Sequence, residues 1–204
     1  MAVRPAVATN QRAQASERLV GTLVHRLVQR CGLSADLDRE TLVRTVRQLL
    51  RPEEQALVEE VDELFERAAE FFRDLCERPE VRALYAAGEV WHEVPFSLVR
   101  DGVRSRGSID CIVARRTPGA ARQPAAHEGT PPDQGSASSH EAGFYGSGEL
   151  EHLSILELKT GRRRTEQEDD HRAQVALYRE AIGAIFPGVS VTAAIVYADR
   201  IVRV

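Results

Sequence analysis

Cysteine is scarce in this chain and nowhere clustered. Cys31, Cys76 and Cys111 are the only three, an odd number spread far apart. That argues against a disulfide framework or a zinc cluster, and it fits a reducing, cytoplasmic setting. Long apolar runs are also lacking, since none approaches the roughly 20 residues that a membrane-spanning helix needs. There is no internal repeat and no G-x-x-x-x-G-K-[ST] loop, which removes a P-loop nucleotide hydrolase. Nor is there a surplus of positive charge. Lys and Arg number 27 against 31 Asp and Glu, a formal net charge of −4. A nucleic-acid partner must therefore rely on a local basic patch.

What remains suits one soluble domain. The 204 residues are 43% hydrophobic and 28% charged, enough to bury one sizeable core. The charge is uneven: residues 51–80 are rich in acid, whereas Arg100, Arg104, Arg106, Arg115, Arg116 and the run Arg162-Arg163-Arg164 gather later. No acid precedes Glu17, and the opening stretch carries only arginine as charge, weakly like a transit peptide. It lacks an amphipathic pattern, so residues 1–15 are expected to be a flexible lead-in and residues 16–204 a single domain.

Helical spacing dominates the first half. Leu19, Leu23, Leu27 and Val20, Val24, Val28 predict a helix that opens at Ser16 as N-cap, ends near Gly32 and carries His25. A second helix is expected over 39–50. A third is expected over 53–78, with Leu57, Val61, Leu64, Ala68, Phe71, Phe72 and Leu75 as its buried stripe. A short helical turn over 80–87 ends at Gly88.

The second half reads as strands. Residues 89–99 and 103–115 flank Asp101-Gly102, a strong hairpin turn, with Val90, His92 and Val94 expected to share one side of the first strand and Ile109, Cys111 and Val113 one side of the second. Residues 117–149 are rich in Gly, Ser, Pro, Ala and His and hold almost no large apolar side chain, so they are expected to be a disordered insertion at a hairpin tip. A strand then runs from Leu153 to Gly161, a helix covers 167–186, and strands cover 189–197 and 201–204. The closing strand–helix–strand predicts a parallel crossover. The fold class is therefore α/β: a central mixed sheet flanked by helices, with a helical N-terminal extension.

The segment Ile155-Leu156-Glu157-Leu158-Lys159-Thr160-Gly161 carries the chemistry. In a strand, residues i and i+2 share a face, so Glu157 and Lys159 lie together while Leu156 and Leu158 anchor the other side. Taken singly, Glu157 and Lys159 read as an ion pair, His25 as a boundary histidine, and Gln174 with Tyr178 as an ordinary helix surface. Trp91 and Phe96 read as core, with stacking on an unpaired base as the other option.

Taken together they form a pattern. Gly21-Thr22-x-x-His25 is followed by Glu93-Val94-Pro95-Phe96, Arg106-Gly107-Ser108-Ile109-Asp110, Glu157-Leu158-Lys159-Thr160-Gly161 and Gln174-x-x-x-Tyr178. This order resembles the PD-(D/E)XK nuclease superfamily, and within it the C-terminal nuclease domain of RecB/AddA-type helicase–nucleases, over about Arg18 to Tyr197. The resemblance implies a restriction-endonuclease-like core and a metal-dependent deoxyribonuclease of low sequence specificity acting in DNA end processing and recombinational repair. It implies His25, Asp110, Glu157 and the backbone carbonyl of Leu158 as ligands of Mg²⁺ or Mn²⁺, and Lys159 as the catalytic lysine. Glu93 is implied near the metal, and Gln174 and Tyr178 beside the DNA and the scissile phosphate. Arg106, Arg162, Arg163 and Arg164 would contact DNA phosphates without reading sequence.

The implied partners are DNA, as single strands or duplex ends, and a helicase domain or subunit; the implied location is the nucleoid. Glu157 stands where this family usually has Asp, though the wider superfamily accepts either. The alternative is a nuclease-like fold that binds or scaffolds DNA without cutting it. Such relatives usually lose an acid or the lysine, and this chain keeps all of them.

Overall fold

Two apolar rows, one leucine and one valine, form the spine of the first element. The structure, a computed structural model, describes residues 6–33, 36–117, 148–160 and 165–204. Helix α1 spans Ala6–Cys31 and buries Leu19, Val20, Leu23, Val24, Leu27 and Val28. It starts at Ala6 rather than Ser16. Residues 6–15 are mostly Ala, Gln and Arg with no glycine or proline, so they extend the helix by propensity without an apolar stripe. Gly32, at φ 70°, takes the left-handed position that ends the helix.

Helix α2 spans Arg39–Leu49, and Asp38 caps it by accepting from the Thr41 amide at 2.8 Å. The expected helix over 53–78 is two pieces, α3 (Pro52–Gln55) and α4 (Val61–Glu77). Leu57 lies in the break and is 57% exposed instead of buried. Glu53, Glu54, Glu59, Glu60, Asp62 and Glu63 crowd this stretch, and like charges a turn apart oppose one continuous helix. Helix α4 turns Leu64, Phe65, Ala68, Phe72 and Leu75 inward. Helix α5 follows over Pro79–Tyr85.

The five strands are β1 (Glu89–Arg100), β2 (Val103–Arg116), β3 (Leu150–Lys159), β4 (Ser190–Tyr197) and β5 (Ile201–Arg203), with α6 (Thr165–Ile185) between β3 and β4. They form one mixed sheet in the order β1-β2-β3-β4-β5. Only β3 and β4 are parallel, joined by α6 as the expected crossover. The β1–β2 turn has positive φ at both Asp101 and Gly102, as a tight two-residue hairpin requires. The two ends of the insertion are fastened: the Thr117 amide donates to the Glu149 carbonyl at 2.9 Å. The rest of the expected disordered loop, 118–147, lies outside the described residues.

Each sheet face is covered. Helices α1, α2, α4 and α5 pack over Cys111, Val113, Leu156, Leu158, Ala194 and Val196. On the other face, α6 places Val175, Tyr178, Ala181 and Ile182 against Ile112, Leu153, Ile155, Ala193, Ile195 and Tyr197. Helices on both sides of a mixed sheet are what the strand pattern predicts, but two details of facing differ. Val94 and Ile109 join the α6 side, whereas Val90, Cys111 and Val113 join the α1 side. The change falls at Glu93, which sits at φ 48° between the pairs His92–Cys111 and Val94–Ile109. A left-handed residue inside a strand resets the alternation, so the outer half of the hairpin presents its faces in reverse.

The inner half of this hairpin is pinned by side chains: Tyr85 Oη meets His92 Nε2 at 2.7 Å, and His92 Nδ1 meets Cys111 Sγ at 3.3 Å. The outer half leans on α6. Phe96 lies over Gly107 and meets Tyr178 edge-on, with ring centroids 5.1 Å apart. Phe96 is thus core, as is the half-buried Trp91 on the same side. No helix among the described residues is long and apolar enough to cross a membrane.

Arg26 ties α1 to the α2–α3 junction. Its guanidinium donates to both Glu54 carboxylate oxygens at 2.7 Å and to the Leu49 carbonyl at 2.9 Å. The Arg26 hydrogen bonds hold the Glu54 carboxyl at about 2, well below its ordinary 4.5. A depressed carboxylate contributes stability that is present above its unfolded value and lost as pH falls through the folded one. Wild-type protein should therefore lose stability between about pH 4.5 and 2, and Glu54→Gln should lack that segment of the curve, as measured by denaturant melts across pH. Arg26→Ala should cost roughly 1–3 kcal/mol at neutral pH, because it leaves Glu54 and a carbonyl unpaired.

Candidate metal centre

The β2–β3 ladder runs from Arg116 opposite Leu150 to Cys111 opposite Leu156. Past that point Asp110 replaces backbone pairing with its side chain. Its Oδ2 accepts the Leu158 amide at 2.7 Å, and its Oδ1 lies 3.1 Å from His25 Nδ1. One carboxylate therefore joins α1, β2 and β3. His25 reaches it because Arg18, Thr22, His25 and Gln29 recur on one face of α1, beside the apolar rows that bury the helix.

His25, Glu93 and Asp110 each bring a ligand atom to within 4.8 Å of the others. The expected set had Glu157 in place of Glu93. Glu157 Oε1 is instead bound by Lys159 Nζ at 2.7 Å, because the two side chains leave the same face of β3 two residues apart. Glu157 Oε2 is buried without a hydrogen-bond partner. Leu158 uses its amide on Asp110. Since a strand residue's N–H and C=O project to the same side, its carbonyl is directed towards the same gap. Glu93 is held by Ser108, whose hydroxyl donates to Oε2 at 2.9 Å.

The residues on α6 act in series. Lys159 Nζ also donates to Gln174 Oε1 at 3.2 Å, and Gln174 Nε2 donates to the Tyr178 hydroxyl at 2.5 Å. Tyr178 is 4% exposed and fixes Gln174, which fixes the lysine. His171 belongs to the same helix face, one turn earlier. Its Nδ1 meets the buried Tyr197 hydroxyl at 2.9 Å, and burial together with the Lys159 charge lowers its pKa. Sequence reasoning missed His171, Ser108 and Thr160. The spacing 171, 174, 178 was the available signal for the first. Arg106 is exposed on the hairpin, while Arg162, Arg163 and Arg164 lie outside the described residues.

The electrostatics are those of crowded acids. Burial, then the Asp110 charge, pushes the Glu157 carboxyl up to about 7 even though Lys159 and His25 oppose the shift. Burial alone would lower the His25 pKa, but its hydrogen bond to Asp110 and the charges of Asp110, Glu157 and Glu93 outweigh it and raise the value. An imidazole, neighbouring carboxylates and a buried oxygen without a partner suit a hard divalent cation, with Mn²⁺ favoured over Mg²⁺ by the nitrogen donor.

Gly21 serves the approach of α1 to the end of β3. A side chain there would not crowd His25; it would meet Thr160 Oγ1 at 2.8 Å. Glycine lets α1 approach the end of β3 and so brings His25 to Asp110.

Two outcomes follow from this packing and charge. Gly21→Ala should weaken Mn²⁺ binding by about tenfold in titration calorimetry while changing thermal stability little, because the helix gain of up to ~1 kcal/mol offsets the clash. Thr160→Ala in the same chain should restore binding. Without metal, the raised Glu157 favours the folded state below pH 4.5 and loses that contribution as pH rises through about 7. The melting temperature should thus fall from about pH 5 to pH 8, Glu157→Gln should flatten the fall, and Mn²⁺ should stabilise more at the higher pH.

A scan against protein-family models and a search of curated proteins each returned no match, so this centre is interpreted from its own geometry.

Proposed function

We propose that the protein is a metal-dependent deoxyribonuclease with a restriction-endonuclease-like core, hydrolysing phosphodiester bonds with low sequence specificity in DNA end processing. The observation that carries this reading is the meeting of His25, Glu93 and Asp110 from three elements, with Glu157 and Lys159 paired alongside. The mixed five-stranded sheet with helices on both faces supports the same reading.

His25 and Asp110 would hold the ion, joined by Glu93, by the carbonyl of Leu158, and by Glu157 through its unpartnered Oε2. When bound, a divalent ion supplies Lewis acidity towards a phosphoryl oxygen and makes water more acidic. The protein's own part is positional. Lys159 is fixed between Glu157 Oε1 and Gln174 Oε1, where its ammonium orients the attacking water and offsets charge developing on the phosphorane oxygens. Tyr178 locks Gln174 in the rotamer that receives the lysine. Asp110 Oδ1 faces His25 Nδ1 at 3.1 Å, so an ion would take the place of that contact and be held between the two side chains.

Purified protein with Mn²⁺ or Mg²⁺ should degrade single-stranded or linear DNA, and chelator should abolish the activity. Lys159→Ala should slow cleavage by at least about a hundredfold while retaining metal binding. Asp110→Asn should lose both. Cleavage by Lys159→Ala equal to wild type would exclude this mechanism.

A further inference from the structure

The arginines of this chain fall into two groups. Many on the outer surfaces are neutralised, as in Arg39–Glu66, Arg47–Asp62 and Arg73–Glu77. Arg18, Arg30, Arg51, Arg104, Arg106 and Arg203 make no ion pair or side-chain hydrogen bond with described residues; Arg18 and Arg51 line the cleft beside His25, Arg30 follows next to Arg51, Arg104 and Arg106 stand on the strand that carries Asp110, and Arg203 lies apart on β5.

Their placement follows from two stripes. On α1, Arg18, Thr22, His25 and Gln29 share a face over roughly 16 Å of helix. On the hairpin, the reversal at Glu93 turns Ser108, Arg106 and Arg104 to the same side as Asp110, with Pro95, Ser97 and Val99 directly across from them. This outer face is bare: all three of those β1 residues are exposed, Val99 by 60%. The cleft between the stripes is lined by Arg18, His25, Glu93 and Ser108, and it continues past Gln29 to Arg30 and Arg51. Cations therefore flank His25 and Asp110 on both sides. Arg26 also lines the cleft, but its guanidinium is committed to Glu54.

We propose that this cleft is the track for a single nucleic-acid strand, with Arg18, Arg104 and Arg106 gripping phosphates on one side of the metal centre and Arg30 and Arg51 on the other. The proposal rests on the hydrolytic reading of the centre and adds the surface that delivers the strand. Guanidinium groups match phosphate geometry and carry no base preference, which suits a track that accepts any sequence. Glu93, the carboxylate on the cleft floor, belongs to the metal group, so the cleft becomes more positive once the ion is bound.

The test separates track from chemistry by measuring binding without cleavage. Fluorescence anisotropy of a labelled oligodeoxythymidylate is recorded in chelator with wild type, with Arg18→Ala/Arg104→Ala/Arg106→Ala, with Arg30→Ala/Arg51→Ala and with the remote control Arg39→Ala/Arg73→Ala. Each cleft variant should bind about tenfold more weakly or worse, and the slope of log affinity against log salt should flatten by about 0.7 per contact removed. The control should match wild type, and lysine at the same cleft positions should recover part of the affinity. Cleft variants that bind like wild type, a control equally impaired, or wild type that does not bind would each overturn the track. Cleavage of the same strand by wild type in Mn²⁺, with Asp110→Asn as the blank, reports on the hydrolytic reading separately. Cleavage with unimpaired cleft variants sinks the track alone, whereas cleft-dependent binding without cleavage sinks the hydrolysis alone.

Discussion

The Asp110 carboxylate is the junction on which the rest of this structure depends. One oxygen takes the Leu158 amide where β2 and β3 stop pairing, and the other faces the imidazole of His25. The first bond satisfies a strand amide that the open ladder would leave exposed, and the second docks α1 onto the sheet edge. Both are charge-assisted and partly buried, the class of hydrogen bond most costly to break. Removing Asp110 would disturb a helix, a strand opening and the local charge together, so its structural and chemical contributions are inseparable in a single substitution.

Around that junction the chain tolerates arrangements that oppose stability. Glu93 is held in a left-handed conformation that non-glycine residues seldom adopt. Glu157 is buried with one oxygen unpartnered and a second acid nearby, and Gly21 sits inside a helix where alanine would be favoured. Strained backbone, clustered like charge and a low-propensity residue coincide within one small region, whereas the surrounding core is regular. Such concentration is expected where a site is kept ready for a cation rather than optimised for folding.

Much of the architecture was legible in the sequence because periodicity is a local property. The leucine and valine rows of α1, the Asp101-Gly102 hairpin and the β3–α6–β4 crossover all declare themselves within short windows. The break in the helix near Leu57 did not, since it depends on summed repulsion among acids and on Arg26 capturing Glu54 from another helix. The facing of Val94 and Ile109 was hidden for a related reason: a strand pattern assumes unbroken alternation, and the positive φ at Glu93 interrupts it. At the site, the spacing Glu157–Lys159 and Gln174–Tyr178 gave the correct neighbours. It did not give the hierarchy, in which Tyr178 is buried behind Gln174 and Glu93 stands nearer to His25 than expected. Ser108 and Thr160 were silent because each acts through a residue on a different element, whereas His171 was marked only by its spacing to Gln174 and Tyr178.

The distribution of arginine extends the same logic outward. Among the described residues, ion pairs quiet many of the remote arginines, while Arg18 and Arg51 stay unpaired in the cleft beside His25. The most direct measurement of the central claim is the anomalous difference density from crystals grown with Mn²⁺. The account predicts one strong peak in contact with both His25 and Asp110, with Lys159 within reach of a water on it. No peak between those two side chains, or an ion bound elsewhere while His25 and Asp110 keep their hydrogen bond, would contradict it.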